Sequence, residues 1–272
     1  MTFAEADFLK RRAAEDAVFR LEHIVRDFPL AVDLGARSGV FAEVLAASPA
    51  APKVGLLLEA DLSPRMLAGR AAPRLVMDEE RSPLAVASVD LIVSLLALQW
   101  TNDLPGALIQ IRRALRPDGL FLGAVFGGGT LIELRHSLLQ AEAEVRGGAG
   151  MRVSPFMDPA DATHLLQRAG LAEPVADVDK VTVRYRHPLD LLRDLRRMGE
   201  TNALLSRAGR PLSRAVLARA FEIYAERFGL EDGQVAATFE IVTLTGWAAP
   251  ALRESPGGRR PAVRQPEAWG SR

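Results

Sequence analysis

One stretch constrains this chain more than any other: Leu30-Ala31-Val32-Asp33-Leu34-Gly35-Ala36-Arg37-Ser38-Gly39. An apolar run closes on a carboxylate, two glycines bracket a short turn, and apolar residues resume at helical spacing over 40–45. This pattern predicts a buried strand, a tight loop and a helix start. Glycine permits positive φ and close approach of the backbone. A strand–loop–helix unit of this kind aims backbone N–H groups and a helix N-terminus at a ligand. A short glycine motif is also compatible with an ordinary turn, so the rest of the chain has to decide.

Four further apolar runs, at 54–58, 75–77, 89–98 and 120–126, predict more strands. The run at 89–98 is nearly continuous, as in a strand buried on both faces. Between these runs, Ser63-Pro64 opens a predicted helix, with Pro at a tolerated first-turn position. A second helix is predicted over 105–115, followed by a turn at Arg116-Pro117-Asp118-Gly119. Strands alternating with helices imply a parallel sheet of right-handed βαβ units. Asp33, Glu59 with Asp61, Asp78-Glu79-Glu80 and Gly127 stand at the strands' carboxyl ends. Ligands of open α/β sheets bind at those ends.

Upstream, residues 3–27 predict a helix with Phe8, Leu9, Val18, Leu21, Ile24 and Val25 as its apolar stripe. Lys10-Arg11-Arg12 reads as its solvated face, and Pro29 ends it. Downstream, Gly127-Gly128-Gly129 predicts a flexible loop. Thr130 and Glu133 form a capping box for a helix to Arg146, and Gly147, Gly148 and Gly150 mark a second mobile segment. Asp158-Pro159 caps a helix ending at Gly170. A half-exposed strand at 181–185, helix over 189–228 and a last strand at 238–247 follow. From Pro250 the composition is that of a disordered tail.

Composition narrows the function. The 272 residues contain no cysteine, which excludes disulfides, thiolate catalysis and cysteine metal sites and suits a cytoplasmic location. A formal net charge of +0 provides no global field to gather nucleic acid or acidic membrane. The N-terminus lacks the apolar segment of a signal peptide. No run approaches the ~20 residues of a membrane span. The dinucleotide fingerprint Gly-x-Gly-x-x-Gly is absent from the first turn, and Ser38 sits one position late for a hydrolase elbow. His23, His136, His164 and His187 are scattered; no metal site is expected, and no His/carboxylate iron triad is evident.

Asp33-x-Gly35-x-Arg37-x-Gly39 resembles motif I of the class I S-adenosylmethionine (SAM) methyltransferases, Asp-x-Gly-x-Gly-x-Gly, with Arg37 in place of the middle glycine. Asp61-Leu62-Ser63-Pro64-Arg65-Met66-Leu67 matches the family's Asp-x-Ser-x-x-Met-Leu pattern. The resemblance implies that Asp33, Gly35, Ala36, Arg37 and Gly39 form the loop at the methionine end of SAM. It also implies that Asp61, beside Leu62, accepts the ribose hydroxyls through charge-assisted hydrogen bonds, with Glu59 as the competitor. Asp78 would accept from the adenine amino group, Glu79 would contact the ring through its backbone, and Leu95 joins the cofactor-binding set. Trp100 lies near the adenine or the substrate mouth, or packs in the core.

Later segments narrow the resemblance: Phe126-Gly127-Gly128, Thr130-Leu131-x-Glu133-Leu134-Arg135, Ser154-Pro155-Phe156, Leu165-Leu166-x-Arg168-Ala169-Gly170 and Met198-Gly199-Glu200-x-Asn202. They resemble bacterial relatives of the mitochondrial complex I assembly factor with a methyltransferase fold, a family reported to hydroxylate a protein arginine. The malonyl-carrier methyltransferase of the biotin pathway is similar at greater distance. The implied fold is α/β and Rossmann-like: a seven-stranded, mostly parallel sheet, six strands parallel and one antiparallel, with a helical insertion between the last two strands. Residues 1–28 would form an N-terminal helix, 29–248 the SAM-binding domain with a lid at 188–228, and 249–272 a disordered tail. SAM is the implied cofactor, S-adenosylhomocysteine its product, and the acceptor is unidentified, with a protein among the candidates. The implied activity is methyl transfer; hydroxylation of a protein arginine and a noncatalytic assembly role are the alternatives. Arg135, Tyr185, His187 and Glu200 are rim candidates, with no catalytic residue named. Arg37 either intrudes on the carboxylate end of SAM or pairs with it, and the sequence leaves both open.

Overall fold

The structure, a computed structural model, describes residues 6–203 and 211–249. A helix, α1 (Phe8–His23), leads into β1 (Phe28–Leu34), α2 (Val40–Ala46), β2 (Val54–Asp61), β3 (Arg74–Val76) and β4 (Val89–Leu95). Then follow α3 (Leu104–Ala114), β5 (Leu115–Phe126), α4 (Ile132–Arg146), α5 (Pro159–Arg168), β6 (Leu171–Tyr185), α6 (Pro188–Met198), α7 (Arg214–Phe228) and β7 (Val235–Ala248). The seven strands form one sheet in the order β3-β2-β1-β4-β5-β7-β6. β7 runs antiparallel to both of its neighbours, and every other pairing is parallel. The resemblance implies a seven-stranded, mostly parallel sheet with a helical insertion between the last two strands, as found here; the strand order is read from the structure.

Burial explains the layering. All seven residues of β4 are buried, so helices must cover both faces of the sheet. One core joins α1, α2, α4, α6 and α7 to the sheet; the other joins α3 and α5. Side chains fix several helix starts: Asp103 accepts from Gly106 N, Asp158 from Ala160 N and Ser213 from Val216 N. His187 caps α6, its Nδ1 accepting from Leu189 N at 3.1 Å.

Several sequence expectations need correction. No helix forms after Ser63-Pro64; that segment makes tight turns, Met66 N to Ser63 O and Ala68 N to Arg65 O, broken by Gly69 at φ +75°. The segment Arg116-Pro117-Asp118-Gly119 lies inside β5. Thr130 and Glu133 form no capping box. Thr130 Oγ1 donates to Glu240 O, and Glu133 accepts from both Thr238 N and Thr238 Oγ1. Gly127 to Gly129 are anchored too: their N–H groups donate to Glu240 O, Met157 O and Glu240 Oε1. Among the described residues the insertion holds two helices, not one continuous helix over 189–228: α6 ends at the Gly199 cap and α7 begins at Arg214. Residues 204–210, the predicted tail from 250 and residues 1–5 lie outside the described residues.

Candidate cofactor and acceptor site

Three strand ends and the first loop converge on a cleft of about 510 Å3, within the roughly 300–1,000 Å3 of small-molecule sites. Gly35, Arg37, Asp61, Leu62, Asp78 and Glu79 line it; Asp33, Ala36, Gly39 and Leu95 do not, and are buried behind its wall. Glu59 does not line it either.

The loop is built by close approach. Gly35 and Gly39 have φ of +76° and +75°. A Cβ on Gly35 would come within 2.3 Å of Ala97 Cβ. Arg37 takes φ +48°, a left-handed value that disfavours side chains with a Cβ. Its N–H donates to Asp61 Oδ2 at 2.9 Å, and Ser63 N–H donates to Asp61 Oδ1 at 2.8 Å. Each carboxylate oxygen has room for a second donor, so Asp61 retains acceptor capacity toward the cleft. Asp78 takes the Glu80 N–H on Oδ1 at 2.9 Å. Burial pushes the Glu79 carboxyl above its usual range. Glu80 lines the cleft as well and receives the Asn102 and Asp103 N–H groups.

Behind the loop lies a buried ionic cluster. Lys10 of α1, 4% exposed, donates to Gly35 O at 2.5 Å and Ala36 O at 3.2 Å. Its assignment to a solvated face is corrected. Residues 10, 14, 17 and 21 share one side of the helix, and all are buried; that spacing is the signal the charge run obscures. Desolvation lowers Lys10 to about 8, against the opposing pull of Asp33. Desolvation likewise raises Asp33 to about 6, against Lys10. Neither Asp33 oxygen has a hydrogen-bond partner. Glu59 is claimed by Arg70, Nε to Oε2 at 2.5 Å, and Arg70 also donates to Ser38 O. Arg70 and Ala97 carry no sequence motif and are found only in three dimensions.

A second space of about 420 Å3 adjoins the cleft, with Trp100 in the walls of both. Phe126, Leu134, Phe156, Leu195 and Phe239 make it largely apolar, and Glu200 lies at its edge. Arg37 Nη1 reaches across from the glycine loop to Met198 O at 3.2 Å and Glu200 Oε1 at 3.0 Å. Tyr185 is buried and His187 serves as a helix cap. Arg135 reaches toward Gly128 O and Ser154 O. Among the sequence's rim candidates, the structure brings Glu200 to the junction of the two spaces.

A family model described as a methyltransferase domain matches residues 32–123. The YcgJ protein from Bacillus subtilis shares the fold with a TM-score of 0.57 at 14% identity, covering 88% of this chain and 99% of that one. Together with the strand order, these define the class I methyltransferase fold. The mitochondrial arginine hydroxylase NDUFAF5 of Homo sapiens is 39% identical over 260 residues, 92% of this chain and 74% of that protein. The malonyl-[acyl-carrier protein] O-methyltransferase of Laribacter hongkongensis is 36% identical, covering 93% of this chain and 86% of that one. Within the class, the chain belongs to the family of these two relatives, with SAM as its cofactor.

The donor set suits SAM. Asp61 offers free acceptor capacity for a vicinal diol, and Asp78 and Glu79 provide acceptors across the cleft. SAM supplies an already activated methyl group. The chain's own contribution is to bind, orient and exclude water.

Proposed function

We propose that Asp61 accepts from the SAM ribose hydroxyls, that Asp78 accepts from the adenine amino group, and that Glu79 lies along the ring. In this reading the acceptor enters the apolar chamber beside the cleft and is methylated where the two spaces meet. The observation that carries the reading is that adjacency, with Trp100 common to both walls. The Laribacter relative is named for a methyl transfer to a group borne on a carrier protein, and we extend a protein-borne acceptor to this chain. A cytoplasmic location belongs to the same reading; the cysteine-free composition is compatible with it, and cell fractionation tests it. The human relative, named an arginine hydroxylase, favours a second reading, oxygen insertion on the same scaffold.

One experiment separates them. The protein is incubated with SAM and either malonyl-acyl carrier protein or an arginine-containing peptide, and the acceptor is weighed by mass spectrometry. A gain of one CH2 is the expected outcome. A gain of one oxygen on the peptide favours the second reading. Unchanged acceptors alongside tight SAM binding favour a noncatalytic assembly role.

A further inference from the structure

The glycine loop carries an arginine at a position whose backbone suits glycine, and that side chain is fully engaged. Its guanidinium leaves the loop and closes on a carboxylate of the insertion, Glu200, whose side chain is 8% exposed. Three spaces meet here. The cofactor cleft has Arg37 and Met198 in its wall. A void of about 20 Å3 lies beyond, bounded by the same two residues with Lys10, Phe126 and Glu200. Phe126 and Glu200 then recur in the wall of the apolar chamber. The Arg37–Glu200 pair therefore stands between the cleft and the chamber, where a methyl donor and its acceptor have to meet.

The chemistry of that pair is suggestive. A guanidinium presents a fork of donors matched to a carboxylate. Here it already holds one, and that one belongs to the chain itself. Glu200 Oε2 and the Trp100 Nε1 beside it make no hydrogen bond of good geometry, although Trp100 and Gln99 both lie close enough to favour the charged carboxylate. Burial raises the Glu200 carboxyl above its usual range, opposed by Arg37. Replacing one carboxylate by another on the same guanidinium conserves the ion pair. It also releases Glu200 toward the chamber.

We propose that Arg37 is the specificity residue for the amino-acid end of the cofactor, exchanging Glu200 for the cofactor's carboxylate and thereby joining the cleft to the chamber. The inference rests on the reading of the cleft as a SAM site. Of the two roles the sequence leaves open for Arg37, it selects recognition over obstruction.

Calorimetry with S-adenosylhomocysteine and methylthioadenosine tests it, because the second ligand keeps the adenosine and the thioether and lacks the amino-acid end. Arg37→Gly is the informative variant, since glycine accepts the loop's positive φ; a thermal melt checks its fold. A hydrogen bond to a charged group is worth roughly 1.5–3 kcal/mol, and about 1.4 kcal/mol is tenfold. Arg37→Gly should weaken S-adenosylhomocysteine by about ten- to a hundredfold and leave methylthioadenosine within a few fold. Glu200→Gln, which weakens the internal competitor, should tighten S-adenosylhomocysteine. Unchanged or tighter S-adenosylhomocysteine binding in Arg37→Gly overturns the inference alone. Failure of the unaltered protein to bind either ligand overturns the cofactor reading and this inference with it.

Discussion

At the scale of single residues, Asp61 bears the most weight. Its two oxygens already hold the Arg37 and Ser63 N–H groups, so it shapes the loop as well as facing the cleft. Asp61→Ala should weaken SAM binding by roughly ten- to a hundredfold, from hydrogen bonds worth about 1.5–3 kcal/mol each to a charged acceptor. Calorimetry reads this directly, and normal affinity in the variant would place the ribose elsewhere. Glu59, the competitor for the ribose role, instead holds Arg70 beneath the loop, so Glu59→Ala should disturb the loop itself. Asp33 yields a pH prediction. Burial raises its carboxyl from 3.8 to about 6, so the folded protein holds a proton that the unfolded chain releases. That contribution to stability is fully present below pH 3.8 and is lost as pH rises through about 6. Urea unfolding of Asp33→Asn should show a flatter pH dependence across this window than the unaltered protein.

At the scale of elements, legibility followed the strength of the local signal. β1, β2, β4 and β5 are announced by apolar runs; βαβ chirality sets the hand of their crossovers, while their order in the sheet is seen only in the structure. β6 is longer than its predicted 181–185. It is an edge strand with a register shift between Ala172 and Val175, and Asp177 and Asp179 on it pair with Arg20 and Arg12 of α1. Alternation is blurred where an edge strand serves such tertiary partners. The same competition defeats the capping box. Thr130 and Glu133 have the right spacing, but β7 offers partners in a buried setting, and α4 starts after Leu131 at φ +55°. Within the site, acids at strand ends are visible in sequence, whereas Ala97, Arg70 and Met198 reach it through chain reversals that no local pattern encodes. Glu133 supplies the element-scale prediction. Glu133→Ala leaves both the N–H and the hydroxyl of Thr238 without their acceptor. A buried unsatisfied donor costs about 1–3 kcal/mol, so the loss should exceed the ~1 kcal/mol of an ordinary cap. Denaturant titration checks it; a loss at or below the cap value would mean that water replaces the carboxylate.

At the scale of the whole molecule, a rigid sheet and a hung insertion meet at one point. The buried strands β4 and β5 fix the strand ends that carry the acids. α6 and α7 enter between the long strands β6, at the sheet edge, and β7, its inner neighbour, on the side of the sheet that also carries α1 and α4. Segments held by few buried contacts open at lower free energy than core strands. Among the described residues after α6, Glu200 is tied to Arg37 and Asn202 Nδ2 to Met151 O. If cofactor binding exchanges the partner of Arg37, its effect must travel to this segment and not stop at the loop. Hydrogen exchange should therefore change together at 35–39 and 198–203 when S-adenosylhomocysteine is added, with β4 and β5 unaffected. In Arg37→Gly the loop should still respond while 198–203 should not. A response confined to 35–39 in the unaltered protein would show that the insertion is indifferent to the cofactor, and the acceptor chamber would then have to be gated by something other than this ion pair.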